Sequence, residues 1–221
     1  MTQEQWTAVD RYLTDLLVPA DPALEAALQA SEAAGLPSIQ VSPNQGKLLQ
    51  MLAQVQGART ILEIGTLGGY STIWLARSLP TDGHLTTLEV DPRHAEVARA
   101  NITRAGLADV VEQHLGPALE TLPRLAAEGR GPFDLIFIDA DKPNIPAYFS
   151  WALKLSHPGT LIVTDNVVRG GAIVDDAKSD PGIQGVRRLM EMLAAEPRVS
   201  ATAIQTVGSK GYDGFAIARV R

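Results

Sequence analysis

From Thr60 onward, short runs of strand-forming residues alternate with stretches of helical period, and this alternation constrains the fold more than any other feature of the chain. The runs are TILEI (60–64), HLTTLEV (84–90), DVVEQHL (109–115), FDLIFID (133–139) and TLIVTD (160–165). Helical stretches follow near 70–79, 92–105, 117–128, 146–156 and 183–195. Strand–helix alternation builds a parallel sheet with helical crossovers, and ligands gather at the carboxyl ends of its strands. The final runs, VSATAIQTV (199–207) and GFAIARV (214–220), have only GSKGYD between them. That link is too short for a crossover helix, so the sheet should end in an antiparallel hairpin.

Ahead of Thr60 the pattern is helical. Trp6, Val9, Leu13, Leu16 and Leu17 fall on one apolar stripe, which reads as a packing face. Asp21 followed by Pro22 announces a second helix, and Ser42-Pro43-Asn44-Gln45 announces a third through a Ser-x-x-Gln capping box. Gly35 and Gly57 end them. The stretch 166–182, rich in Gly and Asp, is the one long loop and reads as a mobile substrate lid. At 221 residues the expectation is one domain over 1–221, with a helical layer (1–57) on an α/β core (58–221).

A net charge of −6 offers no basic field for phosphates, so nucleic acid is not expected as a partner. The opening MTQEQWTAVDRYLTDLL carries acids and lacks a basic, then apolar, leader pattern. No stretch reaches the roughly 18 apolar residues of a membrane span, and the chain is expected to be cytoplasmic, without a membrane partner. With no cysteine, any metal must be held by oxygen or nitrogen. His84, His94, His114 and His157 lack ligand spacing and are expected at the surface. Trp74, Phe149 and Trp151 read as core or helix packing, and no G-x-S-x-G motif supports a serine hydrolase.

The first strand runs into Glu63-Ile64-Gly65-Thr66-Leu67-Gly68-Gly69-Tyr70-Ser71, a glycine turn where backbone can approach a ligand closely. Leucine at 67 breaks the dinucleotide pattern G-x-G-x-x-G. The second strand ends in Glu89, where an acid can accept from both ribose hydroxyls, while Asp91-Pro92 reads as the cap of the next helix. An acid at 63 faces a cationic ligand better than a pyrophosphate, which favours S-adenosylmethionine over NAD.

The fourth and fifth strands run into Asp139-Ala140-Asp141-Lys142 and Asp165-Asn166. Taken alone, Asp139 fits a helix cap as well as a ligand. Together, Asp139, Asp165 and Asn166 offer hard oxygens suited to Mg²⁺, Mn²⁺ or Ca²⁺. Such an ion would ease the ionisation of a phenol of pKa about 10, a deficit of roughly 4 kcal/mol at neutral pH. Lys142, three residues past Asp139, stands where it could accept the proton.

In this order, LEIGTLGGYS, LEVD, GPAL, FIDADK and TDNVVRGG resemble the cation-dependent O-methyltransferases, the caffeoyl-CoA and catechol O-methyltransferases and their bacterial relatives, over about residues 38–220. The resemblance implies a Rossmann-like class I methyltransferase fold with a seven-stranded, mostly parallel sheet, and a homodimer. It implies cofactor contacts from Val41, Glu63, Gly65, Thr66, Ser71, Glu89, Ala118 and Asp139. It implies metal ligation by Asp139, Asp165 and Asn166, Mg²⁺ being expected first, and Lys142 as base. The acceptor it implies is a catechol-like small molecule. Pro143-Asn144-Ile145-Pro146 and Arg169-Gly170 depart from the plant enzymes at positions that argue against caffeoyl-CoA itself. Two alternatives remain open, an NAD(P)-dependent oxidoreductase and a non-catalytic nucleoside-binding protein.

Overall fold

The computed structural model describes residues 2–221. Three N-terminal helices, α1 (Gln3–Leu17), α2 (Pro22–Ala33) and α3 (Pro43–Gln56), precede the sheet. Strands and helices then alternate: β1 (Thr60–Ile64), α4 (Tyr70–Ala76), β2 (His84–Glu89), α5 (Pro92–Arg104), β3 (Val111–Leu115), α6 (Ala118–Ala127), β4 (Phe133–Ile138), α7 (Ile145–Lys154), β5 (Ser156–Asp165) and α8 (Pro181–Ala195). The hairpin β6 (Val199–Gly208) and β7 (Gly211–Val220) completes the fold.

The seven strands lie in the order β3-β2-β1-β4-β5-β7-β6, parallel except for β7, which runs antiparallel between β5 and β6. The expected Rossmann-like architecture is therefore present, hairpin included. Its strands run further than expected, leaving only Ser209-Lys210 as the turn, and β5 begins at Ser156 rather than Thr160.

Burial on both sheet faces explains why the central strands read as near-continuous apolar runs. Leu62 and Ile64 point to one face, against Leu122 of α6, Phe149 of α7 and Leu189 of α8. Ile61 and Phe137 point to the other, against Leu49 of α3 and Ile73 and Trp74 of α4. Burying such a side chain contributes about 1.5–3 kcal/mol relative to leaving it exposed. Glu63, two residues after Ile61, shares that second face by the strand's period and so points at α4.

Local chemistry sets the helix ends. Asp21 accepts from the amides of Ala23 and Leu24, Ser42 from Gln45, and Asp91 from Arg93 and His94. Gly57 closes α3 at φ +66°, a left-handed value that glycine adopts without steric cost. His157, expected at the surface, lies 2.8 Å from Asp134 and stitches β5 to β4 at the amino ends of these two parallel strands. Between β5 and α8, the stretch expected as a lid contains a 3₁₀ turn (Arg169–Val174). The Arg187 side chain of α8 donates to the carbonyls of Ile173 and Lys178 there.

The reading of the α1 stripe is corrected by the structure. No α1 residue is buried, and Leu16 and Leu17 are each 65 % exposed, so the stripe does not pack into this chain's core. Polar contacts tie the helix down instead: Gln3 donates to the Gly208 carbonyl at 2.9 Å, and Asp10 accepts from the Ser209 amide at 2.7 Å. Periodicity records an amphipathic face without recording what covers it.

Candidate active site

A cavity of about 750 Å³ opens over the carboxyl ends of the central strands. Val41, Gly65, Thr66, Ser71, Glu89, Ala118, Asp139, Lys142 and Asn166 all line it. Of the residues singled out in the sequence, Glu63 and Asp165 do not. Glu63 is fully buried beneath Ser71, and Asp165 lines a neighbouring cavity of about 260 Å³. Asn166 lines both, so it stands at the wall between them.

The glycine turn owes its path to two backbone features. Gly65 adopts φ +103°, and a Cβ there would sit 2.1 Å from the Asp139 carbonyl oxygen, so β1 and β4 approach as closely as they do only with glycine at this position. Leu67, which interrupts the dinucleotide pattern, adopts φ +50°, the left-handed conformation a glycine would accept more readily. Its amide donates to Glu89 Oε2 at 2.8 Å, while Oε1 accepts from Val90 and Asp91 at 2.9 Å each. Three backbone donors thus fix the Glu89 carboxylate at the cavity wall. His94 lies 3.7 Å from it and also lines the cavity, which corrects the reading of His94 as a plain surface residue.

Glu63 accepts hydrogen bonds from three hydroxyls, Ser71 at 2.6 Å, Thr87 at 2.7 Å and Thr72. Burial pushes its carboxyl up to about 7, against the pull of those donors, and the charge of Asp139 adds to the rise. It reaches the cavity through Ser71, whose hydroxyl it orients.

The other end of the cavity is acidic. Parallel register sets Ile138 beside Thr164, so Asp139 and Asp165 leave adjacent strands side by side. Asp165 is 5 % exposed, and burial followed by the charge of Asp139 pushes its carboxyl well above the usual carboxylate range. Lys142 Nζ donates to Asp139 Oδ1 at 2.9 Å, and Gln45 lines the smaller cavity with Asp165. Among the described residues no three His, Cys, Asp or Glu side chains gather as a metal site. The donor set here is two carboxylates and an amide. A buried carboxylate at Asp165 and a half-buried one at Asp139 beside it, joined by the Asn166 amide, fit a hard divalent cation, whose charge would offset their repulsion.

A family model described as O-methyltransferase matches residues 19–219. The chain belongs to this O-methyltransferase family. The catechol O-methyltransferase of Niastella koreensis is 55% identical over 221 residues, covering 100% of both chains. The catechol O-methyltransferase of Mycobacterium tuberculosis is 57% identical over 213 residues, covering 96% of this chain and 95% of the relative. An O-methyltransferase from Bacillus cereus, solved in complex with SAH, superposes with a TM-score of 0.98 at 61% identity over 100% of both chains. Family membership makes this chain an S-adenosylmethionine-dependent O-methyltransferase. The oxidoreductase and non-catalytic alternatives fall away with it.

Several residues that shape the methyltransferase site escaped the sequence reading. Gln45 reads as half of a capping box, and Ser42 does cap α3, but Gln45 also lines the smaller cavity with Asp165. Tyr148, one turn into α7, donates to Asp141 and lines the cavity with it. Burial, and then that contact, push the Tyr148 hydroxyl's pKa upward. The only sequence signal for Tyr148 was its place in the helix after the Asp-Ala-Asp-Lys run.

Proposed function

We propose that this chain transfers a methyl group from S-adenosylmethionine to one hydroxyl of a catechol-like vicinal diol, with a divalent cation, Mg²⁺ first and Mn²⁺ or Ca²⁺ next, as helper. The observation that carries this reading is the convergence of Asp139, Asn166 and Lys142 on one side of the cavity that Glu89 lines from the strand beyond Gly65. Catechol acceptors are named for two relatives at more than half identity, which supports the substrate class.

In this reading Glu89, already fixed by three amides, takes the ribose hydroxyls of the donor, and Gly65 and Thr66 let the turn's backbone lie against the donor. Ser71, oriented by Glu63, meets the amino-acid portion, Val41 covers it, and Ala118 lies by the base. Asp139 serves both halves of the site, as a cation ligand with Asp165 and Asn166 and as the acid nearest the methyl-bearing end. When bound, the cation would stabilise the ionised acceptor oxygen, and the sulfonium would supply the methyl. Lys142, its ammonium form disfavoured by that cation, would take the hydroxyl proton from the acceptor. The walls then hold the two reacting atoms in line, which contributes much of the acceleration in a displacement that needs no covalent intermediate.

EDTA is expected to abolish methylation of a simple catechol, with excess Mg²⁺ restoring it and calorimetric binding of S-adenosylmethionine changing little. Undiminished turnover in EDTA would remove the metal from this reading.

We also propose that residues 1–221 act as one domain, the 1–57 helices serving as a layer on the 58–221 core, and that two copies pair. The exposed apolar face of α1, with Val9 52 % and Leu16 65 % exposed, supports pairing. Sedimentation is expected at about twice the 23.6 kDa chain mass, and a single-chain mass at micromolar concentration would defeat it. No helix among the described residues is long and apolar enough to cross a membrane. The acidic balance supports a cytoplasmic enzyme with no nucleic-acid partner, and recovery in the pelleted membrane fraction would count against that.

A further inference from the structure

Asp213, on β7, does not line the main cavity, and no motif drew attention to it. Its Oδ1 accepts three backbone hydrogen bonds, from Val168 at 2.9 Å, Arg169 at 2.9 Å and Gly214 at 3.0 Å. Two of those donors belong to the turn that leaves Asp165 and Asn166. The turn is an unusual piece of chain: Asn166 adopts φ +57°, Arg169 +56°, Gly170 +63° and Gly171 +86°. Left-handed backbone at an asparagine is tolerated, but at an arginine it costs about 1–2 kcal/mol, so the surrounding structure must impose it.

Two restraints impose it. Val167 and Val168 are buried in the core, and the Val167 amide donates to the Gly214 carbonyl at 3.0 Å. The second is the Asp213 carboxylate, which gathers the next two amides. Register explains the reach: Asp165 pairs with Phe215, so Asp213 stands two residues beyond the paired end, level with the turn. Gly214 allows the fit, because a Cβ there would meet the Ile204 carbonyl oxygen at 2.3 Å and Val168 Cγ2 at 2.7 Å. Asp213 also lines the smaller cavity together with Asp165 and Asn166. The Arg169 guanidinium stays 4.0 Å from Oδ2, so the amides rather than the ion pair are the close partners.

We propose that Asp213 is a positioning residue that holds the Asn166 amide oxygen in its cation-binding place by clasping the amides of Val168 and Arg169. The proposal rests on the reading of Asn166 as a cation ligand. What matters is an acceptor oxygen at one point, more than a negative charge in the neighbourhood. Asn at this position would keep that oxygen, Ala would lose it, and Glu would keep the charge but shift the oxygens by about one carbon–carbon bond, ~1.5 Å.

The test is Mn²⁺ binding to the full chain, followed by electron paramagnetic resonance, with calorimetric binding of SAH as the control. Asp213→Ala is expected to raise the Mn²⁺ Kd about ten- to a hundred-fold, as loss of a ligand-orienting partner does, with SAH affinity within about two-fold of the parent. Asp213→Asn is expected within about three-fold of the parent for Mn²⁺. Should the Ala variant not melt cooperatively, Asp213→Glu replaces it, with the same expected loss. Amide hydrogen exchange at Val168 and Arg169 should quicken in the Ala variant whether or not metal is present. An Ala variant with parental Mn²⁺ affinity overturns the proposal and leaves the cation reading standing. An Asn variant as weak as Ala overturns it in favour of long-range charge. A parent chain that binds no Mn²⁺ overturns the cation reading, and the proposal with it.

Discussion

Gly65→Ala is expected to lower turnover by about two orders of magnitude or more, and to cost about 2–5 kcal/mol of stability. The added methyl would sit 2.1 Å from the Asp139 carbonyl oxygen, and the backbone would have to hold φ +103° with a side chain attached. Neither strain can relax locally. Moving β4 shifts Asp139, and moving β1 shifts the turn that carries Thr66. Gly57→Ala is the control. Its φ of +66° carries the same kind of backbone cost, but nothing lies within 4 Å of the new methyl. It should cost about 1 kcal/mol and leave turnover alone. Thermal melting and steady-state kinetics on both variants separate the two effects, and equal losses at 65 and 57 would refute the close-approach argument.

Asp165→Asn should separate function from stability. On the proposed cation reading, losing one anionic ligand is expected to remove about 3 kcal/mol of transition-state stabilisation, roughly a hundred-fold in Mg²⁺-supported turnover. In the metal-free protein the sign reverses. Burial and the charge of Asp139 both raise this carboxyl in the folded chain above its unfolded value. The folded state therefore holds the proton more tightly, and stability falls as pH rises from the ordinary carboxylate range, about 4, to neutrality. An amide carries no such charge. In EDTA at pH 7.5 the variant should melt above the parent, and the gap should close as the buffer is brought toward pH 4. A variant that melts below the parent in EDTA at neutral pH would show that the two acids do not oppose each other.

Much of the architecture was legible because it is local. The runs 60–64 and 133–139 are apolar on both faces, and glycine or an acid stops each at a strand tip, so strand, turn and candidate site could be read together. The caps at Asp21, Ser42 and Asp91 were legible for the same reason, since a cap and its amides lie within three residues. What stayed hidden depends on partners far along the chain. Gln45 shares the smaller cavity with Asp165 from more than a hundred residues away, and nothing near position 45 marks it. His94 sits in a first helical turn that looks solvent-facing until β2 brings Glu89 beside it. Asp213 follows a tight turn, where an acid is ordinary, and two of its three amide partners lie 44 and 45 residues away. Leu67 was legible as a departure from a glycine pattern, but the left-handed backbone it nonetheless adopts was not.

The placing of β7 between β5 and β6 has a bearing on how the enzyme comes into being during synthesis. A ribosome releases β6 before β7, yet β6 has no seat on the sheet until β7 has threaded in beside β5. Until then β5 presents a bare edge to whatever is nearby, the kind of edge that invites mispairing and chaperone attention. A nascent chain halted near Gly208 would already carry both acidic strand tips and the glycine turn, but the Asn166–Gly171 turn would lack the acid that gathers its amides. Competence should therefore arrive abruptly with the residues of β7, so a chain stalled or clipped before them would be a liability to the cell rather than a weaker catalyst.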